Sequence, residues 1–243
     1  MNFDAKRFEQ VLLQGLQEWG LEECAVHLPS FTRFSESVVE TNQTLNLTRL
    51  IEPEEMAVKN FLDSLGLLCL DWPEKMRCLD LGTGAGFPGV PLAICRPQWS
   101  FVLLDSLRKR LRFIEGALES MGVENVSILH ARAEDAGRDQ SHRESYDLVV
   151  SRAVARLPVL LELATPLVKV GGCFVAYKSN EGREELQESS AAMRKLNVET
   201  ERVFDLELPL AMGERSLIVF RKLSPTPSAY PRRAGLPNKQ PLG

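Results

Sequence analysis

The stretch Cys78-Leu79-Asp80-Leu81-Gly82-Thr83-Gly84-Ala85-Gly86-Phe87-Pro88-Gly89 runs from an apolar strand into the start of a helix. Glycines at such a turn let backbone approach a ligand closely, and the exposed amides at the helix start suit polar or anionic groups. In a doubly wound sheet the ligand then lies beyond the carboxyl ends of the strands. A purely structural glycine turn is the alternative. Asp105 closes the next predicted strand, about twenty residues on, where a carboxylate can accept hydrogen bonds from both hydroxyls of a ribose. The same residue also fits a plain helix cap ahead of Leu107, and the two roles are compatible.

Outward from this turn, short apolar segments alternate with helical ones from Met76 onward. Predicted strands cover Arg77 to Leu81, Phe101 to Leu104, Val126 to Leu129, Asp147 to Ser151 and Cys173 to Tyr177. Ser216 to Phe220 reads as a final strand, and Phe204 to Leu208 as a weaker one before it. Helices are expected over Leu107 to Met121, Leu157 to Val168 and Arg183 to Leu196. Such βα alternation predicts an α/β fold with a mostly parallel, doubly wound, Rossmann-like sheet. Phe8, Leu12, Leu16 and Trp19 recur at helical spacing, and further helices are expected from Ser30 and Pro53. The expected organisation is an N-terminal helical extension (1–75), a core (76–223) and a Pro-rich basic tail (224–243).

Composition is that of an ordinary globular chain: 44% hydrophobic and 26% charged over 243 residues. A net charge of −4 argues against a protein that coats nucleic acid over its whole surface. The charge is uneven, because Arg221 to Gly243 holds five basic residues and no acidic one, leaving −9 on the rest. With its five prolines after Ser224, this segment reads as an extended tail outside the core. Five scattered cysteines without a CxxC pair read as reduced thiols. No signal peptide or membrane span is expected, which places the protein in the cytoplasm. His27, His130 and His142 lack paired spacing, so neither a metal site nor a histidine base is expected.

Gly84, Gly86 and Gly89 satisfy GxGxxG, so a dinucleotide enzyme has to be weighed. Gly82 directly follows Asp80-Leu81, however, and two prolines occupy the helix entrance. No second domain for hydride chemistry is evident either. An acidic residue ahead of Gly82-x-Gly84-x-Gly86 resembles the first motif of class I methyltransferases. Read together, DLGTGAGFPGVPLAI (Asp80 to Ile94), LLDSLRKR (Leu103 to Arg110) and SRAVA (Ser151 to Ala155) resemble the ribosomal RNA small subunit methyltransferase G family, also called glucose-inhibited division protein B. NLT (Asn46 to Thr48), FLDSL (Phe61 to Leu65), RAE (Arg132 to Glu134), ERSLIVFRK (Glu214 to Lys222) and the tail YPRRAGLPNKQPL extend the likeness over most of the chain.

The resemblance implies methyl transfer from S-adenosyl-L-methionine to guanine N7 of one guanosine in the decoding-region loop of 16S ribosomal RNA, free or in the small ribosomal subunit. By position in the motifs, Gly82 and Phe87 line the cofactor with the rest of the loop (Gly84, Gly86), Asp105 holds the ribose, Ala133 and Glu134 flank the adenine, and Arg152 completes the site. Asn60 stands where the family often has histidine, and Ser179 follows Lys178 where glycine is common.

Methylation of an in-plane nitrogen lone pair removes no proton, so no general base is expected and positioning dominates. Arg152 is then expected to orient a cofactor carboxylate or an RNA phosphate, against a plain salt bridge at the strand end. Candidate RNA contacts are Asn46, Thr48, Lys178, Arg232 and Arg233, with Tyr230 for stacking. Asn46 and Thr48 also fit a cap or turn, and Lys178 a solvated surface. Two other functions remain open on sequence: a methyltransferase for a small molecule or protein, and a nucleotide-binding regulator without turnover.

Overall fold

The computed structural model describes residues 3–179 and 181–242. Met1 and Asn2 of the expected extension, and Gly243 of the tail, lie outside the described residues. Seven strands, β1 (Arg77–Leu81), β2 (Ser100–Asp105), β3 (Val126–His130), β4 (Tyr146–Arg152), β5 (Val168–Lys178), β6 (Val198–Glu207) and β7 (Glu214–Lys222), form one sheet in the order β3-β2-β1-β4-β5-β7-β6. The first five pair in parallel, and β7 inserts antiparallel between β5 and β6. The strand order reverses between β1 and β4, which opens a crevice at their carboxyl ends.

Alternation along the strands sends side chains to opposite faces. Cys78, Leu148, Val150 and Val175 enter one core, whereas Leu79, Leu81, Val149 and Phe174 enter another. The first core is covered by α1 (Ala5–Glu18), α2 (Leu28–Leu45), a helical run α3 (53–65), α4 (Gly89–Cys95) and α5 (Arg108–Met121). The one-turn α6 (Ala133–Ala136) and α7 (Leu157–Ala164) cover the second, joined by α8 (Gly182–Glu188) and α9 (Ser190–Leu196).

The N-terminal helices are fused to this core by phenylalanines. Asp4 caps α1 through the Arg7 amide at 3.0 Å, and the apolar stripe of α1 buries Phe8, Leu12 and Leu16. Phe61 meets Phe8, Phe31, Phe34 and Phe87 with ring centroids 5.0, 5.3, 6.3 and 5.3 Å apart. Phe87 belongs to the glycine loop, so the extension grips the loop directly.

Three elements depart from the sequence reading. The helix expected over Leu157 to Val168 ends at Ala164, where Thr165-Pro166 tightens the chain into a 3₁₀ turn, and β5 then begins early at Val168. The helix from Arg183 divides at Ser189, whose hydroxyl donates to the Glu185 carbonyl at 2.7 Å. β6 starts at Val198, well before Phe204, because its exposed charged residues hide the strand period and pairing with β7, broken only at Glu201, holds it. No helix among the described residues is long and apolar enough to cross a membrane.

The Pro-rich segment is not an extended tail outside the core. It folds back over α7, adds a one-turn helix α10 (Leu236–Lys239), and buries Pro231, Pro237 and Leu242. Single side chains of the core replace the missing sheet and helix bonds. Arg143 donates to the carbonyls of Thr226 and Tyr230 at 2.8 and 2.9 Å, and Glu144 accepts from the Thr226 amide and from the buried Lys222 ammonium, both at 2.7 Å.

Candidate active site

The glycine loop is built by backbone constraints at both ends. The amides of Gly82 and Thr83 donate to the Leu104 carbonyl at 2.8 and 3.0 Å, which ties the end of β1 to β2. Gly82 has φ +75° and Gly86 φ +100°, a region that residues with a Cβ adopt only with strain. A Cβ at Gly82 would also strike the Val154 side chain.

Asp105 is only 5% exposed and lines the cavity beside the loop. Its Oδ2 accepts from the Gly84 amide at 3.0 Å and its Oδ1 from the Leu107 amide at 2.8 Å, with Arg110 at 3.6 Å. The carboxylate therefore does cap the turn into α5, and each oxygen keeps a lone pair for another donor. Behind the loop, Asp80 is fully buried, and its Oδ2 accepts from the Gly89 amide at 2.9 Å. Its Oδ1 and the Thr83 hydroxyl have no hydrogen-bond partner. Burial pushes the Asp80 carboxyl up to about 6, against the pull of the nearby Thr83 side chain, the Gly89 amide and Arg152.

A cavity of about 350 Å³ opens at this point, lined among others by Gly82, Asp105, Ala133, Glu134, Val154 and Asn238. A second cavity of about 780 Å³ adjoins it, lined among others by Thr48, Asn60, Arg152, Tyr177, Lys178 and Arg215. Ala153 lines both and has φ +57°.

The end of β4 meets the N-terminal extension across the larger cavity. The middle of α3, Met56–Leu62, is wound as a π-helix, and it offers Arg152 two acceptors. Arg152 Nη1 donates to the Lys59 carbonyl at 2.7 Å and to Asp63 at 2.9 Å, and Nη2 to Asn60 Oδ1 at 3.0 Å. Asp63, with no exposed surface, also accepts from Arg215 Nε at 2.6 Å. One carboxylate thus sits between two guanidiniums, while Lys59 and Lys178 on the same cavity are matched by Glu181, Glu185 and Glu214. Tyr177 donates its hydroxyl to the Ser64 carbonyl at 2.8 Å, and burial raises its phenol well above the usual range.

Of the residues expected to hold a cofactor, Gly82, Asp105, Ala133 and Glu134 meet at the smaller cavity, with Gly84 joined to Asp105 by its amide. Gly86 packs its turn against Phe34 and Val90. Phe87 turns its ring into the phenylalanine cluster, 5.6 Å from the Arg152 guanidinium. Arg152 stands in the salt bridge at the strand end, and still faces the larger cavity.

The RNA candidates separate. Asn46 is the exposed left-handed cap of α2, and the Thr48 hydroxyl closes a turn by accepting from the Leu50 amide at 3.1 Å. Lys178 is not a solvated side chain: it pairs with Glu185 at 2.6 Å and donates to the Ala155 carbonyl at 2.8 Å. Thr48 and Lys178 do line the larger cavity. Arg232 is committed elsewhere, because the unexposed Glu162 accepts from its Nη2 at 2.6 Å, its Nε at 2.9 Å and its amide at 2.8 Å. Tyr230 lies half-buried against the α7 core. Arg233 alone of the tail candidates is exposed and free of a side-chain partner.

Asp63, Arg215 and Asn238 escaped the sequence reading. Asp63 left one trace, a carboxylate inside the apolar run Phe61-Leu62-Asp63-Ser64-Leu65. The other two lie in ERSLIVFRK and the tail, stretches that carry the family likeness without singling out either residue.

Strand order, glycine loop and the acidic residue closing β2 define a class I methyltransferase fold. Two solved structures share it at a TM-score of 0.51 each. The 16S rRNA (adenine(1408)-N(1))-methyltransferase of Catenulisporales acidiphilia is 16% identical and covers 62% of this chain and 89% of its own. M. jannaschii TYW2 in complex with AdoMet is 14% identical and covers 67% of this chain and 76% of its own. The chain belongs to the rRNA small subunit methyltransferase G family (GidB), whose model matches residues 27–217. The ribosomal RNA small subunit methyltransferase G of Desulfitobacterium hafniense is 45% identical over 226 residues, 93% of this chain and 94% of that one. That of Acetivibrio thermocellus is 39% identical over 236 residues, 97% of each.

Proposed function

We propose that this protein transfers a methyl group from S-adenosyl-L-methionine to guanine N7 of one guanosine in 16S ribosomal RNA, acting in the cytoplasm on the RNA or the small subunit. Family membership supports the activity, and one observation carries the geometry: two cavities of unequal size share a border at Ala153. One is edged by the glycine loop and Asp105, as an adenosyl group requires, and the other is wide enough for an unstacked base. A methyl donor held in the first would present its methyl toward a base in the second.

The residues fit the cofactor. Asp105 has spare lone pairs for the ribose hydroxyls, and the unpartnered Asp80 Oδ1 and Thr83 hydroxyl mark the place for a cationic donor such as the amino-acid ammonium. S-adenosylmethionine supplies the sulfonium methyl. The chain supplies alignment, which lowers such a barrier by roughly 7 kcal/mol or more when donor and acceptor are held in line. Arg152 keeps its Nε–H and one Nη2 hydrogen after serving Lys59, Asn60 and Asp63, enough to orient a cofactor carboxylate or an RNA phosphate. Asn60 orients Arg152 here, so the exchange of histidine for asparagine keeps an acceptor at this point. Mass spectrometry of 16S ribosomal RNA from cells with and without the protein tests the proposal: one N7-methylguanosine should vanish with the gene, and an unchanged nucleoside inventory would end it.

A further inference from the structure

We infer that the C-terminal segment 230–242 forms the adenine end of the cofactor cavity, with the Asn238 carboxamide selecting the base. The inference rests on S-adenosylmethionine occupying the 350 Å³ cavity. Asn238 lines that cavity together with Ala131, Arg132, Ala133, Glu134 and Asp105.

The segment has little regular structure, yet its place is fixed at four points. Arg138 Nε donates to the Pro231 carbonyl and Arg143 Nη1 to the Tyr230 carbonyl, both at 2.9 Å, and Arg232 sits on the unexposed Glu162. The fourth point is at the cavity itself: the Gly235 amide donates to Glu134 Oε1 at 2.8 Å. Three residues later the chain presents Asn238, on the single turn of α10. Glu134, the residue expected at the adenine, thus acts in part through the tail that it holds.

Adenine offers a donor, its amino group, beside ring-nitrogen acceptors, so its edge is matched by a group carrying one donor and one acceptor. The Glu134 carboxylate offers only acceptors, Arg110 and Arg132 only donate, and the Ser106 hydroxyl is a single atom that cannot span a donor and an acceptor on the base edge. Asn238 is the only carboxamide lining the cavity among the described residues, and carboxamide to adenine is a bidentate match. Its exposed position also means that its own truncation leaves the core untouched.

Calorimetry with S-adenosylhomocysteine and its hypoxanthine counterpart, S-inosylhomocysteine, tests this on the full chain. The wild type should favour the adenine compound, and Asn238→Ala should bind it about tenfold more weakly while narrowing the preference, at an unchanged melting temperature. Amide exchange across residues 230–242 should slow when S-adenosylhomocysteine is added to the wild type. Equal affinities of Asn238→Ala and wild type for S-adenosylhomocysteine, with the same base preference, would overturn the inference alone. Failure of the wild type to bind S-adenosylhomocysteine would overturn the cofactor reading beneath it.

Discussion

Arg232→Ala should destabilise the fold by about 3 kcal/mol and release the C-terminal segment. Glu162 has no exposed surface, and the lost side chain supplies its bonds at 2.6 and 2.9 Å, so truncation strands a carboxylate that water does not reach. Breaking a buried ion pair from one side costs about 3–5 kcal/mol. The low end applies because the Arg232 amide, which alanine retains, still donates to Glu162 at 2.8 Å. For a chain of this length 1 kcal/mol moves the melting temperature by about 2–4 °C, which gives a fall of about 6–12 °C. Urea and thermal melts read the loss, and limited trypsinolysis reads the release, with faster cutting at Arg233 and Lys239. Replacing both partners by leucine should restore most of the stability, since apolar residues substitute well for a buried pair. A loss under about 1 kcal/mol with unchanged tryptic resistance would refute the clamp.

Three further outcomes follow from the site. Asp105→Ala removes a carboxylate with free lone pairs for two hydroxyls, each bond to a charged group being worth about 1.5–3 kcal/mol; calorimetry should show a loss of S-adenosylhomocysteine affinity of about a hundredfold or more. Gly82→Ala combines a positive φ with a collision at Val154, so it should cost about 1–3 kcal/mol in urea melts and weaken cofactor uptake further. The Asp80 carboxyl, raised from 3.8 to about 6 in the fold, makes the free protein bind one extra proton between those values. Stability from this group is therefore full below pH 3.8 and falls by about 3 kcal/mol as pH rises through 6. If Asp80 meets the ammonium, affinity for S-adenosylhomocysteine should rise from pH 5 to 7, and Asp80→Asn should flatten that rise.

What could be seen in the sequence was local. Apolar alternation set β1 and its neighbours, and the spacing from the glycine loop to Asp105 depends only on one βα unit, so both were legible. The tail was not, because its order comes from Arg143, Glu144 and Glu162, single charges far away in sequence whose partners only the fold selects. Without those partners a proline-rich basic segment reads as solvated chain. β6 was half visible for a similar reason: a charged edge strand is held by its pairing with β7, which periodicity does not reveal. Arg152 was legible only as an arginine at a strand end: it lines the larger cavity, and its bonds to the π-helical turn at Lys59 and Asn60 depend on a contact across more than ninety residues.

The most direct trial of the central claim is a single incubation: purified protein, S-adenosylmethionine labelled on the methyl, and small ribosomal subunits from cells lacking the enzyme. Digestion to nucleosides should return the label as N7-methylguanosine from the small-subunit RNA, at one site, with Asp105→Ala giving little or none. Label in another nucleoside or in ribosomal protein, or none at all from well-folded enzyme, would contradict the account.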